Sequence, residues 1–137
     1  MKYFSMAEMR DSRVSRILHI NNSPDKIAQN NLISLVDNVL DPARERFKKP
    51  FFVVNGFITP RLCKVLGIPE DSQHTKGEAA CVTTYSREEN KKLFDILKEL
   101  EFDQLTYHEY KDSSSDLIYV SYKSNGKNRK EVNFKKH

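Results

Sequence analysis

The sequence predicts an α+β fold, with helices packed on a small, mostly antiparallel sheet. Three observations carry this. Apolar residues recur at helical spacing between Ile27 and Phe47 and again between Leu93 and Leu100. Short runs rich in β-branched and aromatic residues, at 51–55 and 117–122, read as strands. The resulting order, α, β, α, β, α, β, β, β, is that of helices laid against one small sheet.

Each element has a local reason. Met6, Met9, Val14, Ile17 and Leu18 in a polar background predict one or two short helical turns within 5–20, followed by a loop at Asn21-Asn22-Ser23. Ser23 before Pro24 predicts a helix start, hydroxyl as cap and proline in the first turn. Ile27, Leu32, Leu35, Val36, Val39, Leu40, Ala43 and Phe47 then form one apolar face, which Pro42 is expected to kink or end. After Lys48-Lys49-Pro50, residues 51–55 predict a well-buried strand ended by Gly56. Thr59-Pro60 opens a short helix that Gly67 stops. Residues 68–73 read as a polar loop and 77–84 as a strand with small residues inward. Ser86 with Glu89 is a capping box, and Leu93, Phe94, Ile96, Leu97 and Leu100 form the buried stripe of the helix that follows. Alternation over 104–110 predicts a strand, 111–115 a polar turn, 117–122 a strand, 124–127 a turn and 130–134 a last edge strand.

The chain has 137 residues, 38% hydrophobic and 31% charged, which suits one globular domain over its whole length, 1–137, rather than a disordered one. No apolar run approaches the roughly 20 residues needed to cross a bilayer, and residues 1–10 lack a hydrophobic signal core. Synthesis in the cytoplasm without a signal peptide and no membrane partner are therefore expected. Cys63 and Cys81 are too few for a disulfide framework. Net charge is +4. Basic and acidic residues alternate until a basic tail from about 123, where Lys123, Lys127, Arg129, Lys130, Lys135 and Lys136 gather. Such a run is expected as a solvated end, and nucleic acid is not the expected partner.

The stretch Ser72-Gln73-His74-Thr75-Lys76-Gly77-Glu78-Ala79-Ala80-Cys81 brings an imidazole and a thiol within seven residues. Both bind zinc, but a tetrahedral site needs at least three protein ligands. Together with Asn55-Gly56-Phe57-Ile58-Thr59-Pro60, Phe102-Asp103-Gln104-Leu105, Asp116-Leu117-Ile118-Tyr119-Val120-Ser121-Tyr122 and Asn128-Arg129-Lys130, this stretch resembles the zinc D-Ala-D-Ala carboxypeptidase and peptidoglycan endopeptidase family (peptidase M15-like), particularly its short single-domain members in phages. The likeness covers most of the chain and implies a D-Ala-D-Ala carboxypeptidase-like α+β fold.

The resemblance also implies a site, and the chain departs from it. In the family, zinc is held by the motif's His, its Asp and a late His, leaving a position for the attacking water. His74 matches the first, Cys81 stands at the aspartate position and Tyr119 at the late histidine. Tyrosine is a poor zinc ligand at neutral pH because its phenol, with an ordinary pKa near 10, must ionise. The family's general base matches Asp116, which its Ser-rich surroundings also suit as an ordinary turn residue. The arginine near the substrate carbonyl is replaced by Ile58, removing a donor of a kind whose loss costs about 100- to 1000-fold in rate. Ser72, Gln73 and Ile58 mark the substrate groove.

The expectation is thus a catalytically degenerate, metal-free relative with a binding or structural role, its partners being other proteins of an assembly, such as a virion, or a peptidoglycan fragment. The alternative is an active zinc peptidase with an altered ligand set, His74 and Cys81 plus His108 or water, and Asp116 as base. A third reading keeps the groove as a peptide- or glycan-binding module. His19 is expected to be structural or exposed, and the last residue, His137, disordered.

Overall fold

The computed structural model describes residues 1–137. Two short helices open the chain, α1 (Met6–Arg10) and α2 (Arg13–Leu18). Ser5 caps α1 in a reciprocal box with Glu8. The long helix begins two residues later than the Ser23-Pro24 pair suggested. Asp25 is its N-cap, its carboxylate accepting from the Ala28 amide at 2.8 Å, and α3 runs over Lys26–Leu35. A carboxylate at the positive end of a helix is a strong cap, so Pro24 falls outside the first turn.

Pro42 does not end this helix. The backbone passes through one π-helical turn, Val36–Leu40, and resumes as α4 (Asp41–Phe47). The wider turn is one way to accommodate a ring that would clash one turn back. Asp41, at the junction, accepts from the amides of Lys2 at 2.6 Å and Tyr3 at 3.0 Å and ties the start of the chain to the helix.

One five-stranded sheet follows, in the order β1-β2-β4-β3-β5. Its strands are β1 (Phe52–Asn55), β2 (Ala79–Thr83), β3 (Gln104–Glu109), β4 (Leu117–Ser121) and β5 (Glu131–Lys136). All neighbours are antiparallel except β3 and β5. Between β1 and β2 lies α5 (Pro60–Leu66), capped by Thr59 and closed by Gly67 as its sequence predicts. Between β2 and β3 lies α6 (Arg87–Lys98).

The main core joins α3, α4 and α6 to one sheet face. Leu32, Leu35, Val39, Leu40, Leu93 and Leu97 meet Ala80, Val82, Leu105, Tyr107, Ile118 and Val120. A second, smaller cluster holds Ile20, Ile58, Leu62 and Cys63. No helix is long and apolar enough to cross a membrane.

Several expectations are corrected. The first strand is an edge strand rather than a well-buried one: Phe52 and Val54 are 45% and 43% exposed, because only β2 flanks it. The Ser86 hydroxyl does accept from the Glu89 amide at 3.1 Å, but the Glu89 carboxylate turns to Lys49 and Lys92 instead of back to the cap. The basic end, by contrast, is solvent-exposed as expected, and the predicted last edge strand is present. That strand is β5, with Phe134 stacked on Tyr107 at 5.0 Å. His137 is packed rather than disordered, stacked on Tyr110 at 4.3 Å and with Nε2 2.9 Å from His108 Nδ1.

Candidate functional site

The pairing of β2 with β4 sets Cys81 opposite Tyr119 on the sheet. Side chains alternate, so these two point away from the face on which Ala80, Val82, Ile118 and Val120 enter the core. A 3-10 turn, Gln73–Lys76, brings His74 to the same place. Ser72 caps that turn, its hydroxyl accepting from the His74 amide at 3.1 Å, and Gly77 closes it in the left-handed region at φ 75°.

Close backbone approach fixes the turn from two sides. A Cβ on Gly77 would lie 2.3 Å from the Ala28 carbonyl oxygen on α3, and one on Gly56 would lie 2.1 Å from that of Met9 on α1. Only glycine fits at either point. Asn31 Nδ2 donates to the Lys76 carbonyl at 2.8 Å and ties the turn to α3. Asn22 holds the preceding loop, donating to the Arg10 and Phe57 carbonyls at 2.9 Å each and accepting from the Thr59 amide at 2.9 Å.

The result is a cluster of imidazole, thiol and phenol. His74 is 5% exposed. Its Nδ1 lies 2.7 Å from the Gly56 carbonyl oxygen. A carbonyl only accepts, so Nδ1 carries the proton and Nε2 presents its lone pair. Nε2 faces Cys81 Sγ at 3.9 Å, and the His74 and Tyr119 rings meet edge-on at 5.5 Å. Burial lowers the His74 pKa, opposed by the Gly56 carbonyl. Burial pushes both the Cys81 thiol and the Tyr119 phenol up to about 12. Near neutral pH all three groups are uncharged.

Tyr119 is also turned away. Its hydroxyl donates to Gln73 Oε1 at 3.2 Å. Gln73 Nε2 in turn donates to Asp103 Oδ2 at 3.0 Å. Asp103, fully buried, accepts from Arg129 Nε at 3.0 Å and Nη2 at 2.9 Å. The Arg129 guanidinium leads the groups that hold the Asp103 carboxyl down to about 2, against the burial that opposes them.

Asp116 makes no hydrogen bond to His74. It is 0% exposed. It accepts from Arg87 Nε at 2.8 Å and Nη2 at 3.1 Å, from the Tyr107 hydroxyl at 2.7 Å and from the Tyr110 amide at 2.9 Å. Burial would raise its pKa, but these donors, Arg87 foremost, outweigh burial and hold it to about 2. Its oxygens are spoken for by structural partners.

Beside the cluster lies an open, mostly polar cleft of about 440 Å³, lined among others by Ser72, Gln73, Lys76, Glu78, Tyr119 and Arg129. Of the residues singled out by sequence, Ser72, Gln73 and Tyr119 line it. His74 and Cys81 lie beside Tyr119. Ile58 does not reach the cleft; it is buried with Ile20, Leu62 and Cys63. His108 pairs across the sheet with Leu117 and is occupied by His137.

No group of three or more His, Cys, Asp or Glu side chains able to hold a metal ion comes together in the chain. A tetrahedral zinc site with an open position needs three protein donors, and His74 with Cys81 supplies two. The residues present therefore do not fit a catalytic zinc. The Asp103–Arg129 and Asp116–Arg87 pairs and the tether at Asn22 were not foreseen as such. Their partners lie 26, 29 and 35 residues apart in the chain, where no local pattern signals them. A family model described as Peptidase M15 matches residues 2–114. No curated protein matches the chain.

Proposed function

The chain belongs to the peptidase M15 family, and on that premise we propose that it is a peptidoglycan-peptidase-like domain that has kept the groove and lost hydrolysis, serving as a binding or assembly component. One observation carries this reading: the carboxylate at the general-base position is sealed. Asp116 has its hydrogen-bond partners in Arg87, Tyr107 and Tyr110, none of which hydrogen-bonds His74. A base must reach the proton it removes, within hydrogen-bonding distance or through one water. A carboxylate held to about 2 by a guanidinium is also a weak base for the task.

The metal positions support the same reading. A hydrolytic zinc must be gripped while keeping one position open for water. Here an imidazole faces a thiol and a phenol whose hydroxyl is committed to Gln73. Ile58, at the place of a substrate-facing cation, is sealed in an apolar cluster.

The cleft remains. Lys76, Lys123 and Arg129 with Asp71 and Glu78 line it, so it offers both signs of charge to a zwitterionic peptide or a partner's polar loop. A peptidoglycan peptide or another protein of an assembly suits it, and a virion is the setting that the likeness to phage members implies. The test is incubation of the purified chain with a muropeptide ending in D-Ala-D-Ala, with zinc supplied. The expected result is binding without release of D-Ala. Release that disappears in His74→Ala overturns the proposal.

A further inference from the structure

We propose that Phe52 and Tyr85 form a stacking corner for a neutral sugar ring of the N-acetylhexosamine type. The inference rests on the reading of the chain as a binder of peptidoglycan, and it names a part of that ligand which the polar cleft does not account for.

The first support is placement. Phe52 pairs across the sheet with Thr83, and Val53 pairs with Val82. Val53 packs on the main core, so Phe52 points the other way, to the face that carries Cys81 and Tyr119. Thr83 lies two residues from Cys81, about 7 Å along the strand. In the strand order β1, β2, β4, β3 that face presents Phe52, Cys81, Tyr119 and Gln104 in turn, and the last two line the cleft. A ligand laid across the face meets both the corner and the cleft.

The second is shape. Tyr85 is 74% exposed, more than any other large hydrophobic residue of the chain, and Phe52 is 45% exposed. Their ring centroids lie 5.4 Å apart and the ring planes meet at 86°. Two rings at a right angle make a corner rather than a flat patch. One face of a pyranose ring presents C–H bonds, and such a face stacks on the electron-rich face of an aromatic ring.

The third is area. With Val54 beside them, also partly exposed, the two rings leave roughly 300 Å² of apolar surface in water. A stable protein interface takes about 800 Å² from each partner. The corner is too small to hold a second copy or another chain, and its size suits a small cyclic ligand.

The fourth is charge. The charged side chains that flank the two rings in the chain have partners: Lys49 lies 2.8 Å from Glu89, Arg87 2.8 Å from Asp116 and Glu88 3.8 Å from Lys92. A phosphate-bearing ligand gains little from cations already paired. Thr83, opposite Phe52, donates its hydroxyl to the Asp116 carbonyl at 3.0 Å and keeps acceptor capacity for a sugar hydroxyl. A neutral ring with an apolar face and a rim of hydroxyl donors satisfies both conditions.

The test is titration of the full chain with tetra-N-acetylchitotetraose, a glycan without peptide, followed by amide NMR shifts and calorimetry. Saturable binding is expected, with shifts at Phe52, Thr83 and Tyr85. Tyr85→Ala and Phe52→Ala, checked for fold by circular dichroism, should each bind at least about 10-fold more weakly. Tyr85→Phe keeps the ring and should keep the affinity, and Ile27→Ala, at an exposed position on α3, should bind as wild type does. Absence of saturable binding by wild type overturns the proposal, as does equal binding by wild type and Tyr85→Ala. Self-association of wild type in sedimentation that Tyr85→Ala abolishes also overturns it, by assigning the corner to a second copy. Such failures leave the non-hydrolytic reading standing, since that reading falls only on zinc-dependent release of D-Ala.

Discussion

Replacing Arg87 with alanine should cost about 3 kcal/mol of folding stability. Its guanidinium makes two charge-assisted hydrogen bonds to Asp116, at 2.8 and 3.1 Å, and donates to the Tyr110 carbonyl. Hydrogen bonds to charged groups contribute about 1.5–3 kcal/mol each. Removing one partner of a buried ion pair costs about 3–5 kcal/mol, because the other charge is left unpaired. The Asp116 side chain is 0% exposed, but that of Arg87 is 33% exposed, and water can enter where the guanidinium was. The lower end of the range, about 3 kcal/mol, is therefore expected. With an m-value of about 1.5–2 kcal/mol/M, the urea midpoint at pH 7 should fall by about 1.5–2 M. The loss should also depend on pH. In the wild type Asp116 is held to about 2, below its ordinary 3.8, so its contribution is full above the ordinary value and lost as pH falls towards 2. In the variant, burial without Arg87 raises the carboxyl, and acid relieves the penalty. The gap between the two proteins should narrow from pH 5 to pH 3. A loss below about 1 kcal/mol at pH 7, or a gap indifferent to acid, would refute the claim that Asp116 is a sealed structural carboxylate.

Three further outcomes follow from the same geometry. Gly77→Ala should destabilise by more than about 2 kcal/mol in a denaturation series, because φ is 75° and the Ala28 carbonyl lies where Cβ must go; Gly67→Ala, at φ 73° with open space, should cost about half as much. Cys81→Asp combined with Tyr119→His should bind about one equivalent of zinc by elemental analysis yet release no D-Ala, since Asp116 remains paired with Arg87; turnover in that variant would show that Asp116 is free to act. Asp103 and Asp116, both held to about 2, should make stability fall as pH drops from about 4 towards 2, and Arg129→Gln should flatten the Asp103 share of that fall, as read from melting temperature against pH.

Much of the fold was legible because its signals are local. Thr59-Pro60 and Gly67 bracket α5, and the Ser86 cap and Leu93-Phe94-Leu97 stripe define α6. The strand at 117–121 showed in its β-branched and aromatic run. The departures have physical causes that a linear pattern does not contain. Whether residues 52–55 are buried depends on how many strands flank them, not on their hydrophobicity. The cap at Asp25 rather than Ser23 was a competition between two good candidates. The π turn before Pro42 is a compromise between proline and an otherwise uninterrupted apolar face.

The site was legible in identity and not in wiring. His74, Cys81 and Tyr119 lie together, three positions that the family resemblance, and not their spacing along the chain, assigned to one site. Ile58 does not join them, because its side chain is taken by Leu62 and Cys63 on α5. The partners of Asp116 are Arg87 and Tyr107, reached from another helix and another strand. No spacing rule along the chain links those three residues.

Zinc content tests the central claim most directly. The full chain, refolded or dialysed in the presence of zinc and then freed of loosely held ions, should retain less than about a tenth of an equivalent, because His74 and Cys81 supply two of the three donors a catalytic site needs. Retention of about one equivalent of zinc that is lost in His74→Ala would contradict the account.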